Sequence, residues 1–149
     1  MSGAYLAQTG DFLTPSFSGP DPSNTNQFSG AAQRVSGVST QPVGNRSITN
    51  WFNPAAFTVP QNGTFGNGAF GTIEGPNMNA VNLAAFKSFP IFRAARLEIK
   101  GSFTNLLNHT NLGDPDTTIT DTSVGQITST TTKTSGGPRS GIVSAKLTF

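Results

Sequence analysis

The chain has 149 residues, with 9 Lys and Arg against 7 Asp and Glu and no Cys. Only 11% of the residues are charged, against roughly 25% in a typical soluble domain. The pI of 9.4 therefore reflects sparse charge, and no clustered Lys/Arg patch points to nucleic acid. The lack of Cys excludes a disulfide framework and thiolate metal sites. Seventeen Gly and 10 Pro argue against long helices, while the abundant Thr, Ser and Asn favour strands, turns and solvated loops. The expected class is all-β. No run of about 18 apolar residues could cross a membrane as a helix, and MSGAYLAQTG lacks the basic start and apolar run of a signal peptide.

In chain order, residues 2–13 read as the end of a strand closed by Gly10 and Pro15. From Thr14 to Asn77 Gly and Pro recur so densely that no long regular element fits. Loops of this length are uncommon in compact domains. Trp51, Phe52, Phe57, Phe65 and Phe70 recur in its second half, so Ser47–Gly71 is expected to pack. A short helical turn is expected at Asn53–Phe57, with Asn53 capping and Pro54 at the first helical position. Asn79–Phe89 alternates: Val81, Leu83, Ala85 and Phe89 take one face, Asn82, Ala84, Phe86 and Ser88 the other.

A tight connection, Pro90–Ala95, leads into the clearest strand, Arg96–Leu107, predicting an antiparallel hairpin over 79–107. There Leu97, Ile99, Gly101 and Phe103 oppose Arg96, Glu98, Lys100, Ser102 and Thr104. A helical reading fails, because Glu98 and Lys100 would interrupt any apolar stripe. His109–Asp121 is an Asp/Asn/Thr-rich loop, and Ser123–Thr134 is Thr-rich and β-prone. After Gly136-Gly137-Pro138, the terminal strand 138–149 alternates again. Gly141, Val143, Ala145, Leu147 and Phe149 oppose Ser140, Ile142, Ser144, Lys146 and Thr148.

Strands of about ten residues with one apolar and one polar face, one tight turn and long loops are the pattern of a transmembrane β-barrel, although a soluble sandwich alternates too. WFNPAAFTVP (Trp51–Pro60), GTFGNGAFG (Gly63–Gly71), FKSFPIF (Phe86–Phe92), FTNLLNHTNLG (Phe103–Gly113) and PRSGIVSAKLTF (Pro138–Phe149) occur in that order. Together they resemble the C-terminal end of TonB-dependent outer-membrane receptors, in the Oar-like group that carries a carboxypeptidase-regulatory-like domain. The resemblance runs from about Ser47 onward and is loose over 1–46.

The resemblance implies a 22-stranded barrel with an N-terminal plug, in the outer membrane of a Gram-negative-type bacterium, working in TonB-coupled uptake. The plug and most strands are absent, so the chain is expected to be a C-terminal fragment, an incomplete barrel that does not work in isolation. Its implied partners are outer-membrane lipid, the barrel-assembly machinery and the remaining strands and plug of the parent receptor, with TonB reached only through that plug. The resemblance places 14–77 and 108–137 outside the cell, and Ser123–Thr134 as a strand or hairpin arm above the membrane. Glu98, Lys100, Ser102 and Lys146 become lumen-facing candidates. Val143, Ala145, Leu147 and Phe149 become a barrel-assembly signal, read by β-augmentation at an exposed edge.

Other chemistry is thin. Gly66-Asn-Gly68-Ala-Phe-Gly71 matches G-x-G-x-x-G but lacks the flanking strand and helix of a dinucleotide site. His109 is the sole His, and no nucleophile–base pair surrounds it, so no enzyme is expected. Asp114, Asp116 and Asp121 lack the order and closing Glu of a Ca²⁺ loop, and no cofactor is implied. The three N-x-S/T sequons, at Asn45, Asn62 and Asn108, read as chance matches in an Asn/Thr-rich sequence. The competing expectation is a soluble, secreted or surface-exposed all-β adhesion module.

Overall fold

A computed structural model describes the chain from Met1 to Phe149 except residues 69, 93, 94, 132 and 134. In chain order its strands are β1 (Ser2–Gln8), β2 (Phe12–Leu13), β3 (Ser16–Ser18), β4 (Ser29–Ala31), β5 (Gln33–Arg34), β6 (Phe57–Thr58), β7 (Ile73–Glu74), β8 (Met78–Phe92), β9 (Ala95–Thr104) and β10 (Ser140–Thr148). They fall into two compact units. A sheet unit holds Met1–Gln8, Asn77–Asn111 and Thr130–Phe149; a loop unit holds Thr9–Pro76 and Leu112–Ser129.

The sheet unit is one four-stranded antiparallel sheet in the order β1-β8-β9-β10. Its register tests the alternation read from the sequence, because residues paired directly across an antiparallel ladder point to the same side. Leu83 pairs with Phe103, and Phe103 in turn with Gly141. Ala85, Gly101 and Val143 form the next row, then Ile99 with Ala145, then Phe89, Leu97 and Leu147. All three apolar sets share one face. Ser88, Glu98 and Lys146 run across the other, flanked by Lys100 with Ser144 and Ser102 with Ile142.

Along β10 neither face is covered. Val143 is 72% exposed on one side of β10 and Ile142 69% exposed on the other. A self-contained β-sandwich would bury one of them.

Two strand boundaries differ from expectation. The strand at Arg96 stops at Thr104, because Asn105 turns the backbone to φ 45 and starts the rim that follows. The expected connection Pro90–Ala95 is shorter, since Pro90–Phe92 continue β8 and Ala95 opens β9. A register irregularity between Pro90 and Phe92 accommodates the proline, which has no N–H for the ladder. Arg93 and Ala94 of that connection lie outside the described residues.

The loop unit builds a core of its own. Three two-stranded ribbons, β2–β7, β3–β4 and β5–β6, surround Ala32, Phe52, Ala56, Phe57 and Ile73. Phe52 and Phe57 meet edge to face at 6.1 Å, a favoured arrangement for aromatic quadrupoles. The expected helical turn is present as a 3-10 turn at Pro54–Ala56, and the Asn53 side chain accepts the Ala55 N–H. Trp51 donates its indole N–H to the Glu74 carbonyl at 2.8 Å. Arg34 reaches the carbonyls of Val35, Val38 and Ala56 while its guanidinium lies 5.4 Å from the Phe57 ring.

Of the aromatics in Ser47–Gly71, Phe52 and Phe57 lie in this core and Trp51 packs against it. Phe65 and Phe70 are exposed, because the glycine-rich run between them lies against backbone and leaves no room beneath for a ring. Ser123–Thr134 forms no strand among its described residues. Gly125 takes φ 75, and turns join Val124 to Asp121 and Gln126 to Ser123, which breaks the ladder geometry its Thr content favours.

Candidate functional site

The residues singled out by sequence gather on the four-stranded sheet and at one of its ends. Glu98, Lys100, Ser102 and Lys146 share the polar face, with Glu98 directly opposite Lys146. Val143, Ala145 and Leu147 share the apolar face of β10. That strand pairs with β9 along one side and with no described strand along the other. Phe149 follows the end of β10 and is 90% exposed.

The apolar face is fitted around a ring. A Cβ at Gly141 would come within 2.7 Å of the Phe103 ring, and one at Gly101 within 3.5 Å. Phe103 therefore lies across two side-chain-free positions, the aromatic cover that stabilises glycine in strands. From Val81 to Phe89 along β8 the rise is about 26 Å at ~3.3 Å per residue. At the ~35–45° strand tilt of an outer-membrane barrel this covers ~20 Å, most of its ~25 Å apolar height. Tyr5, paired with Val81, stands at one end of this band and Phe89 at the other. Lys87 lies on the same face with its ammonium 5.2 Å from the Phe89 ring, its stem on apolar surface and its charge turned toward the strand end.

The rim where FTNLLNHTN ends β9 is a clasp of asparagines, which sequence reasoning missed. Asn105 and Asn111 are almost fully buried. The Asn105 amide donates to the carbonyls of His109 (2.9 Å) and Gly137 (2.8 Å), and its oxygen accepts the His109 N–H. Asn82 accepts the Asn105 N–H at 3.0 Å. Asn111 accepts the Asn79 N–H at 2.8 Å and donates to the Gly136 carbonyl at 3.0 Å. Asn108, at φ 51, accepts the Arg139 N–H. Buried amides with their partners supplied replace the ladder bonds lost where the strands end. The available signal was the density of Asn, the non-glycine residue most tolerant of left-handed backbone.

The other candidates resolve into structural roles. At Gly66 and Gly68 an added Cβ would sit 1.8 Å from the Ala31 carbonyl oxygen and 2.3 Å from that of Ala32. The Gly68 N–H donates to Ala32 at 2.7 Å. These glycines allow backbone to lie on backbone, while Gly71 turns at φ 66; Ala69 of this motif is outside the described residues. Asp116 accepts the Thr118 N–H at 2.9 Å and the Ser123 hydroxyl at 2.6 Å. Partial burial acts to raise its pKa, yet these bonds outweigh it and hold the carboxyl below its ordinary value. Among the described residues no three His, Asp or Glu side chains come together as a metal site.

A family model described as an outer membrane beta barrel domain matches residues 1–140. The chain belongs to that outer-membrane β-barrel family. No curated protein and no solved structure matches it. The matched span includes residues 1–46, where the sequence words were loosest, and the structure puts β1 there as a member of the sheet. An outer-membrane barrel domain belongs in the outer membrane of a Gram-negative-type bacterium. Four strands do not close, since about eight is the small end for a barrel. The sheet is therefore an open portion of barrel wall whose outer edges, β1 and β10, need pairing within a bilayer.

Proposed function

We propose that this chain is part of the wall of a TonB-coupled outer-membrane receptor of the Oar-like group, a transporter component with no enzymatic step. The observation that carries this reading is the shared register. It gives one mainly apolar face, on which Lys87 stands beside Ile99, and one mainly polar face carrying Arg96, Glu98, Lys100, Ser102 and Lys146, on which Phe86 stands beside Lys100. The polar face is the lumen side, and the loop unit is the extracellular part that meets substrate first. The plug and remaining strands of the parent receptor complete the barrel, and TonB acts through that plug.

The test uses the outer-membrane protein that carries this chain, with Ser144→Cys or Val143→Cys and a membrane-impermeant maleimide. Ser144→Cys should label and Val143→Cys should not. Labelling at Ser144→Cys should fall in cells lacking TonB, where the plug stays seated. Equal labelling with and without TonB would remove the coupling and leave the barrel standing.

The terminal strand is the assembly signal in the same reading. Val143, Ala145, Leu147 and Phe149 present alternate apolar side chains on an unpaired edge, the arrangement β-augmentation recognises. Deleting Phe149 should impair insertion by the assembly machinery, and normal surface display of the deletion variant would refute the assignment.

A further inference from the structure

A cleft of about 180 Å³ opens within the loop unit, between the connection of β3 to β4 and the segment 64–66. Its two sides are clamped together. The Gly63 N–H donates to the Pro22 carbonyl at 2.6 Å, and Gly66 lies directly on the Ala31 carbonyl. Phe65, between those fixed points, lines the cleft and is 68% exposed, so an open aromatic residue stands there on pinned backbone. The buried Phe17 ring, packed over Gly30, adds a second apolar wall. Gln27 and Ser29 line the cleft as well and are exposed. Among the described residues no hydrogen bond engages the Gln27 side-chain amide or the Ser29 hydroxyl. The hydroxyls of Ser23 and Thr64 are committed, to Asp21 and to the Gln61 carbonyl.

The lining selects the chemistry. Among the described residues no Lys, Arg or His borders the cleft, so an anion finds no counter-charge. Asp21, in the adjoining connection, has its oxygens occupied by Ser23, Thr25 and Asn26, which leaves a cation little to bind. A purely apolar ligand would shut the Gln27 amide and Ser29 hydroxyl off from water without replacing their partners, at a cost in free energy. A peptide captured by strand addition needs free ladder positions. Here the Ala31 carbonyl is covered by Gly66, and the Ala32 carbonyl takes the Gly68 N–H at 2.7 Å. A neutral sugar ring meets every condition. Its C–H face suits an aromatic ring, and its hydroxyls both donate and accept, as an amide and a hydroxyl require. The cleft is smaller than a drug-sized pocket of ~300–1,000 Å³, so it takes one sugar residue of a longer chain.

We infer that this cleft binds a neutral oligosaccharide, one pyranose ring stacked on Phe65 with its hydroxyls on Gln27 and Ser29. The inference rests on the loop unit being the part of the receptor that meets substrate, and it gives that substrate a class. It requires no energised transport and is read by binding alone.

The experiment probes an array of neutral gluco-, manno-, galacto- and xylo-oligosaccharides, with uronic-acid oligosaccharides and peptides alongside. The probe is the detergent-purified outer-membrane protein that carries this chain. Binding to at least one neutral oligosaccharide is expected. Phe65→Ala should weaken it at least ~10-fold, and Phe65→Tyr, which keeps the ring, should retain most of it. Gln27→Ala should weaken it by a smaller factor, through one lost hydrogen-bonding group. Phe70→Ala removes another exposed ring of the same unit and should leave binding unchanged. Trp51 fluorescence checks that the loop core is intact in each variant. Binding to no neutral oligosaccharide overturns the inference, as does binding that survives Phe65→Ala. A preference for the uronic acids or the peptides, or an equal loss in Phe70→Ala, overturns it too. Equal maleimide labelling with and without TonB would leave this binding in place, and failure on the array would leave the barrel wall standing.

Discussion

The two units of this chain handle apolar residues in opposite ways. The loop unit draws Ala32, Phe52, Ala56, Phe57 and Ile73 into a core and ties its carbonyls to Arg34 and Trp51. The sheet unit leaves Ile99, Val143 and Leu147 exposed in rows. Composition does not separate them, since both are rich in Gly, Ser, Thr and Asn. Periodicity does. A strict period of two sorts side chains onto two faces and leaves burial to the surroundings, whereas irregular spacing with frequent turns lets a short segment fold onto itself.

The contrast breaks most sharply at Phe52. Phe52→Ala removes a ring from the loop core and should cost about 3–5 kcal/mol. Limited proteolysis should then cut within Thr9–Pro76 while the sheet stays protected; equal protection of both units would mean that the loop core does not stand by itself.

Ile99→Arg tests the sheet face. An Arg toward lipid near the bilayer centre should cost about 2–4 kcal/mol, read as a lower urea midpoint for the membrane-inserted protein. Lys100→Arg, one residue away on the polar face, should leave that midpoint nearly unchanged. Matching effects at the two positions would end the two-faced account.

Gly141→Ala should cost about 1 kcal/mol, the low end of overpacking, because the Phe103 ring can shift to admit a methyl. Adding Phe103→Leu should recover part of the loss, since the two positions share a contact. Purely additive costs would show that ring and glycine are energetically separate.

The smallest effect is at Asp116. Its folded pKa lies below the ordinary value of 3.8, so its ionised form stabilises the loop unit. That contribution is fully present above about pH 4 and is lost as pH falls through the lower folded value. Asp116→Asn should flatten the acid limb of loop-unit unfolding, followed by Trp51 fluorescence; an unaltered limb would remove Asp116 from the titration.

Sequence alone made the sheet legible because its signal is local. Arg96–Thr104 alternates without a fault, and the terminal strand repeats the pattern. The turn at Asn53-Pro54 was equally readable, since cap and proline sit side by side. What stayed hidden depends on distant pairing. Asn105 meets Gly137, and Asn111 meets Asn79 and Gly136, partners that no spacing rule connects. Gly66 and Gly68 look like a nucleotide motif until Ala31 and Ala32 are seen against them. Ser123–Thr134 was misread because Thr favours strands on average, while here Asp116 and Gly125 shape a turn.

The ladder β1-β8-β9-β10 alternates direction at every step, so its two free margins run opposite ways. A cylinder of strictly alternating neighbours can be completed from those margins only by hairpins, never by a single extra ribbon. Insertions or losses in the rest of the wall should therefore come two crossings at a time, and a lone additional crossing would force a parallel seam.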